Sequence, residues 1–410
     1  MRVCINARLV GGTSGGIESV LVGLAYGLSA LTDGDDEYLF LVHANAYDWL
    51  ARYLSNGCRA VPVEPRAGGT RMRARIGGRY PNLRRAIAVR TARWIPPVRA
   101  SDGTAESLRA DVVHFPYQSG FLTSIPSIFQ PHDLQHLHLP ENFTRSERIA
   151  RERTYRTLCD QAAAVVVGTG WVKDDLINHY SIPPDRIHVI ALAPMYEVYA
   201  GTRPARVSDA GATRDFVLYP AQTWRHKNHV GLLRALALLR DRDDLVIPLV
   251  VTGRKTAYFA RTIKPLIEEL RLEGQVDFRG FVETDELRRL HEHARAVVVP
   301  TTFEAASFPV WDAFLSGVPV ACSAVTSLPE QVGDAAILFD PYDPADIADA
   351  IRRIWSDDAL RQRLVANGTM RVERLSWKET ARRFRALYRH LANVPLDERD
   401  AALLREAPFL

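Results

Sequence analysis

Short apolar runs alternate with longer amphipathic ones along most of this chain, the pattern of repeated βα units and parallel sheets. In the first half, "RVCINARL", "EYLFLV", "DVVHFP", "SIPSIFQ", "AAVVVGT" and "RIHVIALAP" read as strands. Between them, "GGIESVLVGLAYGLSAL", 148–160 and 171–179 carry helical spacing. The alternation stops at "YAGTRPARVSDAGATRD" (199–215), a polar, aperiodic stretch that reads as a linker. It then restarts. "FVLYPA", "LVIPLVVTG", "VDFRG", "AVVVP", "PVACS" and "AILFD" are strands, separated by helical runs such as "NHVGLLRALALLR", "RTIKPLIEELRL" and "TDELRRLHEHA", the last with Thr284 as its N-cap. Two successive open α/β domains are expected, over 1–198 and 216–375, followed by a C-terminal segment, 376–410. In such folds ligands sit beyond the carboxyl ends of the strands, here in a cleft between the domains.

At 410 residues and 47% hydrophobic, the chain is long enough for two domains with real cores. The formal charge of +4 hides an asymmetry. Ten arginines and no acid lie between Arg66 and Arg99, so the rest of the chain is net acidic. Four widely separated cysteines form no CxxC pair, which argues against a disulfide framework or a cysteine zinc site and suits a reducing compartment. "MRVCINARLV" reads as a first strand rather than a signal peptide, and no apolar run approaches the roughly 18 residues of a spanning helix. A cytoplasmic location is expected, with attachment to the inner face of the cytoplasmic membrane as an addition.

Four segments carry candidate chemistry. Gly15-Gly16 follows a strand and opens a helix, so backbone N–H groups can approach an anionic or polar ligand; a plain tight turn is the alternative. The segment is not G-x-G-x-x-G, which speaks against a nicotinamide dehydrogenase. His132 lies just beyond a strand, where it can donate to a sugar hydroxyl or move a proton. His136 and His138 follow it, but the spacing lacks H-E-x-x-H and a nearby cysteine, so no metal is expected there. Lys227, with Arg225 close by, stands between a strand and a helix, where cation and helix dipole both favour a phosphate; a solvated basic loop is the alternative.

The fourth segment is "FEAASFPVWDAFLSG" (303–317). Glu304 falls beyond the "AVVVP" strand, Phe308 is the expected cap and Pro309 the first residue of the next helix. Free N–H groups around Ser307–Val310 then form an anion site, and Asp312, in the first turn, accepts from a pair of hydroxyls. Two acidic runs, "DGDDE" (33–37) and "DRDD" (241–244), read as solvated turns rather than metal-binding DxD motifs.

From about Gly11 to Leu391 the chain resembles a retaining glycosyltransferase of the family-four group, which has the GT-B fold: α/β, with two Rossmann-like domains whose parallel sheets face a central cleft. The resemblance is carried by "GGIESV", "HDLQHLHLPE", "VVVGTGWVKDDL", "YPAQTWRHKN", "VVTGRK", "VDFRGFV", "VVPTTFEAASFPVWDAFLSGVPVACS" and "SLPEQVGDAAILFDP", in that order. It implies that Glu304, the first acid of an E-x7-E motif, meets the donor sugar, and that Asp312, in place of the second, meets the ribose. It implies backbone contacts from Ser307, Phe308 and Pro309 to sugar and diphosphate, and neutralisation of the diphosphate by Lys227. His132 is implied near the sugar and leaving group, and Gly15-Gly16 near phosphate and acceptor. Gly253 belongs to the donor loops, and Arg279, Phe281 and Val282 line the base. The final "SWKETARRFRALYRHL" is implied to pack back toward the first domain. There are departures: Asp312 is one methylene shorter than the usual Glu, Ala305-Ala306-Ser307 replaces Gly-Phe-Gly, and Ala221 stands where an arginine is common.

The segment 66–100 sets Arg71, Arg73, Arg75, Arg84 and Arg85 beside Trp94, like an interfacial basic stretch that docks on an anionic membrane carrying a lipid-linked acceptor; a solvated loop is the alternative. No nucleic-acid motif accompanies it. The resemblance implies transfer of a sugar, GDP-mannose being the first donor, to a lipid-linked or polysaccharide acceptor with retention, and with neither metal nor cofactor. A phosphorylase, synthase or epimerase on the same fold, and a non-catalytic glycan- or partner-binding protein, are the competing readings.

Overall fold

The computed structural model describes residues 1–12, 15–64, 98–200 and 215–406. The basic stretch with Arg71, Arg73, Arg75, Arg84, Arg85 and Trp94, and most of the 199–215 linker, lie outside these residues. The chain divides into two compact units. Among the described residues, the first comprises those of 1–167, 172–190 and 378–406, the second those of 168–171 and 191–377.

The first unit is built on the strands β1 (Arg2–Asn6), β2 (Glu37–His43), β3 (Cys58–Val63), β4 (Val112–Phe115), β5 (Ser127–Phe129), β6 (Ala164–Val167) and β7 (Ile187–Val189). They form a parallel sheet in the order β3-β2-β1-β4-β5-β6-β7. Because crossover helices cover both faces, β4, β5 and β6 are buried at every residue, which is why they read as continuous apolar runs. The sequence pattern missed β3. It is an edge strand with irregular, mostly partial burial, and Pro62, which has no N–H to donate, sits within it.

The second unit repeats the plan with β8 (Phe216–Pro220), β9 (Leu249–Thr252), β10 (Val276–Gly280), β11 (Ala294–Val299), β12 (Val320–Ser323) and β13 (Ala336–Phe339). All are parallel, in the order β10-β9-β8-β11-β12-β13. The expected helices are present with shifted ends. The helix Thr284–His293 is capped by Glu283, so Thr284 is its first helical residue rather than its cap. Helix Arg145–Gln161 starts three residues earlier than apolar spacing suggested, because Thr144 and Glu147 form a reciprocal capping box.

The amphipathic helix Trp377–Leu391 belongs, from Lys378 onward, to the first unit. There Arg385 donates to Asp33 at 2.7 and 3.2 Å, while Arg389 reaches Asp36 at 2.8 Å and Asp400 at 2.7 Å. The Tyr388 hydroxyl meets buried His114 at 2.7 Å. Burial drives the His114 imidazole pKa down to about 3, so its ring is a neutral link between Tyr388 and Gln130. The four cysteines are buried free thiols. Among the described residues, no helix is long and apolar enough to cross a membrane.

Candidate functional site

In the second unit the loops after β10, β9, β8 and β11 line one edge of the sheet, because the strands are parallel and adjacent. Sequence-distant groups therefore meet there. Beyond β8, Arg225–Lys227 forms a single 3₁₀ turn, ended by Asn228 in the left-handed region (φ 53°), whose side chain caps the helix His229–Asp243 at Gly231. The His226 carbonyl accepts from the Thr301 hydroxyl at 3.0 Å and from the Thr302 amide at 2.7 Å. The Tyr219 hydroxyl donates to the Lys227 carbonyl at 2.8 Å. The turn is thereby tied to the loop after β11.

That loop places Glu304 against the turn, with the Lys227 ammonium donating to its Oε2 at 2.6 Å. The two side chains are 21% and 13% exposed, so the pair is held in a recess but remains reachable by a ligand. The backbone of Glu304 is fixed as firmly. Its N–H donates to the Thr326 hydroxyl at 3.0 Å, and its carbonyl accepts from the hydroxyls of Thr326 at 2.5 Å and Ser327 at 2.8 Å. Neither of these two partners is evident from local spacing; both come from "VTSLPEQ", which follows β12.

The adjoining loops come close to one another. Gly253, beyond β9, has φ +105° and donates to the Gly280 carbonyl at 2.7 Å. A Cβ there would lie 2.7 Å from the Ala221 carbonyl carbon and the Gln222 amide nitrogen, so only glycine allows this approach. Next to it, Arg279 is engaged by Asp277 at 2.8 Å and Glu286 at 3.2 Å. Phe281 stands 75% exposed, an aromatic face with no packing reason to be there, and Val282 follows it half-buried.

Three expectations for the 303–317 segment need correction. The cap of the helix Phe308–Leu315 is Ser307, and Pro309 is the second helical residue. The Ser307 amide is not free: it donates to Gln331 Oε1 at 2.9 Å, while Gln331 Nε2 donates to the Ser307 carbonyl at 2.8 Å. The unfilled first-turn donors are those of Phe308 and Val310, since Pro309 has none. Asp312 lies beyond the first turn and points to another helix. Its Oδ1 accepts from the amides of Met195 at 2.9 Å and Tyr196 at 3.4 Å, at the start of the helix Tyr196–Ala200. Burial raises its pKa to about 7, against the opposing pull of those two N–H groups.

Glu330, within the same "SLPEQ" stretch, accepts from the amides of Gly170 at 2.7 Å and Trp171 at 2.8 Å. Sequence spacing offered no clue to this, since 160 residues separate the partners.

In the first unit, Gly15 has φ 55° and ψ −127°, a conformation suited to glycine alone, and caps the helix Gly16–Ser29 without a side-chain bond. Glu18 Oε2 accepts from the Gly12 amide at 2.8 Å. His132 follows β5, two strands from β1 in the sheet, and adopts the left-handed region (φ 66°). Its Nε2 lies 2.8 Å from the Pro116 carbonyl, so that nitrogen carries the proton. Burial lowers its pKa, and the neutral ring leaves Nδ1 as an acceptor. His132 is therefore built to receive a hydrogen bond from a hydroxyl rather than to give one. In the acidic runs, Arg385 and Arg389 engage Asp33 and Asp36, and Arg240 and Arg242 engage Asp241 and Asp243. The bond from Arg385 holds the Asp33 pKa down to about 2.

Two sequence families cover this architecture between them. The model for Glycosyltransferase Family 4 matches residues 14–192, and that for Glycosyl transferases group 1 matches 205–371. The D-inositol 3-phosphate glycosyltransferase of Nocardioides sp. is 30% identical over 312 residues, 68% of this chain and 67% of its own length. The chain belongs to the family-four glycosyltransferases. It is also 29% identical over 252 residues to O-antigen chain mannosyltransferase B of Escherichia coli, covering 60% of this chain and 66% of that protein. Among solved structures, sucrose-phosphate synthase of Thermosynechococcus elongatus aligns with TM-score 0.67 at 19% identity, over 95% of this chain and 99% of that one. Anabaena HepE in complex with UDP and glucose aligns with TM-score 0.68 at 17% identity, over 94% and 99%. These likenesses identify the fold of this family-four glycosyltransferase as GT-B.

Proposed function

We propose that this glycosyltransferase moves a sugar, mannose first among candidates, from a nucleotide-diphosphate donor to a lipid-linked or polysaccharide acceptor of a surface glycan, with retention of configuration. The observation that carries the reading is the Lys227–Glu304 pair, 2.6 Å apart on loops from the adjacent strands β8 and β11. A bound diphosphate would draw the Lys227 ammonium away from Glu304, leaving the carboxylate to position the donor sugar. Lys227 and the Phe308 and Val310 amides would then stabilise charge on the departing nucleotide diphosphate, as the acceptor hydroxyl attacks the anomeric carbon from the same face. This neutralisation needs no metal at the donor. Phe281 offers a face for the base. Similarity to the O-antigen mannosyltransferase supports mannose and a glycan acceptor. The arginines and Trp94 of 66–100 support a peripheral position at the inner face of the cytoplasmic membrane.

A second reading is a non-catalytic GT-B protein that binds a glycan or a partner. The engagement of Asp312 by Met195 and Tyr196, and of the Ser307 amide by Gln331, favours it, because both groups are implied donor contacts. The experiment is a panel of nucleotide sugars scored for melting-temperature shift and for nucleotide release with membrane lipid acceptors. The enzyme reading expects GDP-mannose to shift the transition and to be consumed, with Lys227→Ala lowering turnover at least about 100-fold. No turnover of any donor, with a donor shift unchanged in Lys227→Ala, would overturn it in favour of the binder.

A further inference from the structure

Two helices of the first unit bring a second chemistry-bearing cluster together. The short helix Gln135–His138 ends on His138, and the helix Gly170–Tyr180 carries Asp175 and His179 one turn apart. His138 Nε2 lies 2.8 Å from Asp175 Oδ1, and His179 Nδ1 lies 3.0 Å from the same oxygen. The three ligand atoms fall within 4.8 Å of one another. An i, i+4 pair on a helix, closed by a third ligand from a neighbouring element, is a common way to assemble a divalent-ion site.

The state of Asp175 supplies an independent reason. Its side chain is only 4% exposed, and its ion-pair partners among the described residues are the two imidazoles, with no lysine or arginine. Its second oxygen, Oδ2, is buried without a hydrogen-bond partner. Buried carboxylates are ordinarily paired and fully hydrogen-bonded, so this one has unused coordinating capacity. The neighbouring cluster is different. Glu152 is met by His136 at 3.0 Å, by the Tyr180 hydroxyl at 2.8 Å and by Arg156 at 2.6 Å, which leaves no similar deficit. His138 and His179 are 30% and 41% exposed on their side chains, so the cluster opens to solvent and a water could complete the coordination.

We propose that His138 Nε2, Asp175 and His179 Nδ1 bind one divalent transition-metal ion of the zinc class, with solvent in the remaining position. The two imidazoles bind in their neutral forms. The proton on His179 Nδ1, now facing both Oδ1 and the Asp175 carbonyl at 3.0 Å, moves to Nε2 or is released, and any proton on His138 Nε2 moves to that ring's Nδ1 or is released. Ligand separations of about 3.4 Å, those of a tetrahedral zinc site, require the two imidazole nitrogens to approach each other by up to about 1.4 Å and each to back away from Oδ1 by roughly half an ångström. The ion is structural. It ties the segment that begins at His132 and ends at His138 to the helix Gly170–Tyr180, and takes no part in the transfer step. This inference is independent of the donor reading, which places its charge neutralisation on Lys227.

The test uses untagged full-length protein, stripped with a chelator and dialysed against zinc or cobalt. One zinc per chain is expected, with visible ligand-field absorption of tetrahedral type on cobalt loading and a higher melting temperature with zinc. His138→Ala and His179→Ala change partly exposed residues and keep the fold, as the unchanged circular dichroism will report. Each should lower zinc affinity at least about tenfold, and the double variant should abolish the cobalt spectrum. Sub-stoichiometric zinc, or uptake and spectrum indistinguishable between wild type and the double variant, would overturn the site and leave an imidazole–carboxylate cluster without an ion.

Discussion

Asp312→Asn is expected to stabilise the protein, and to do so only as the pH rises. The wild-type carboxylate has a folded pKa raised to about 7 by burial, against an unfolded value near 3.9. Below both values the group is protonated in both states and contributes no pH dependence. Between about pH 4 and pH 7 the unfolded chain loses the proton while the folded chain keeps it, so stability falls as the pH rises. With about 1.4 kcal/mol per pKa unit, a gap of about three units sets a ceiling of about 4 kcal/mol, reached above the folded pKa. Asparagine presents the same Oδ1 acceptor to Met195 and Tyr196 but cannot ionise, so it keeps the helix contact and removes the penalty. In a unit of this size, 1 kcal/mol corresponds to roughly 2–4 °C. Scanning calorimetry of wild type and Asp312→Asn at about pH 4, 7 and 8.5 should therefore show a gap that is small at the lowest pH and grows toward about 10 °C at the highest. A gap that does not vary with pH, or a variant less stable than wild type at the highest pH, would refute the reasoning. It would mean that the ionised carboxylate is wanted where it stands.

Gly253→Ala combines a Cβ 2.7 Å from the Ala221–Gln222 backbone with a φ of +105°, and should cost about 1–3 kcal/mol in chemical denaturation. Phe281→Ala removes a 75% exposed ring and should leave the melting temperature within about 2 °C, yet weaken nucleotide binding by roughly tenfold in calorimetric titration. Glu304→Gln keeps the shape of the loop but removes the charge facing Lys227, so turnover should fall at least about 100-fold with little change in nucleotide diphosphate affinity, read by steady-state kinetics against product inhibition.

Much of the fold was legible because its information is local. Strands buried on both faces must be continuous apolar runs, an edge strand such as β10 shows regular alternation instead, and the helices between them must show one apolar face, so β1, β2 and β4 to β13 could be read in order. The exception, β3, is an edge strand whose burial is too patchy to leave that signal. Motif placement was legible for the same reason: Lys227 and Glu304 each follow an apolar strand, and parallel strands put their ends on one edge.

What the sequence by itself determined, then, was the order of βα units and which loops carry polar and charged side chains. The tertiary structure decided whom those side chains meet. Lys227 finds Glu304 across 77 positions, Ser307 finds Gln331 across 24, and Asp312 finds Met195 across 117. It also decided that His132 offers an acceptor, through a carbonyl from Pro116, and that Asp175 gathers His138 and His179. The physical reason is that periodicity reports which face of an element is dry, whereas a hydrogen bond or ion pair depends on two loops meeting within about 3 Å. That distance is set by sheet order and crossover geometry, which no local pattern encodes.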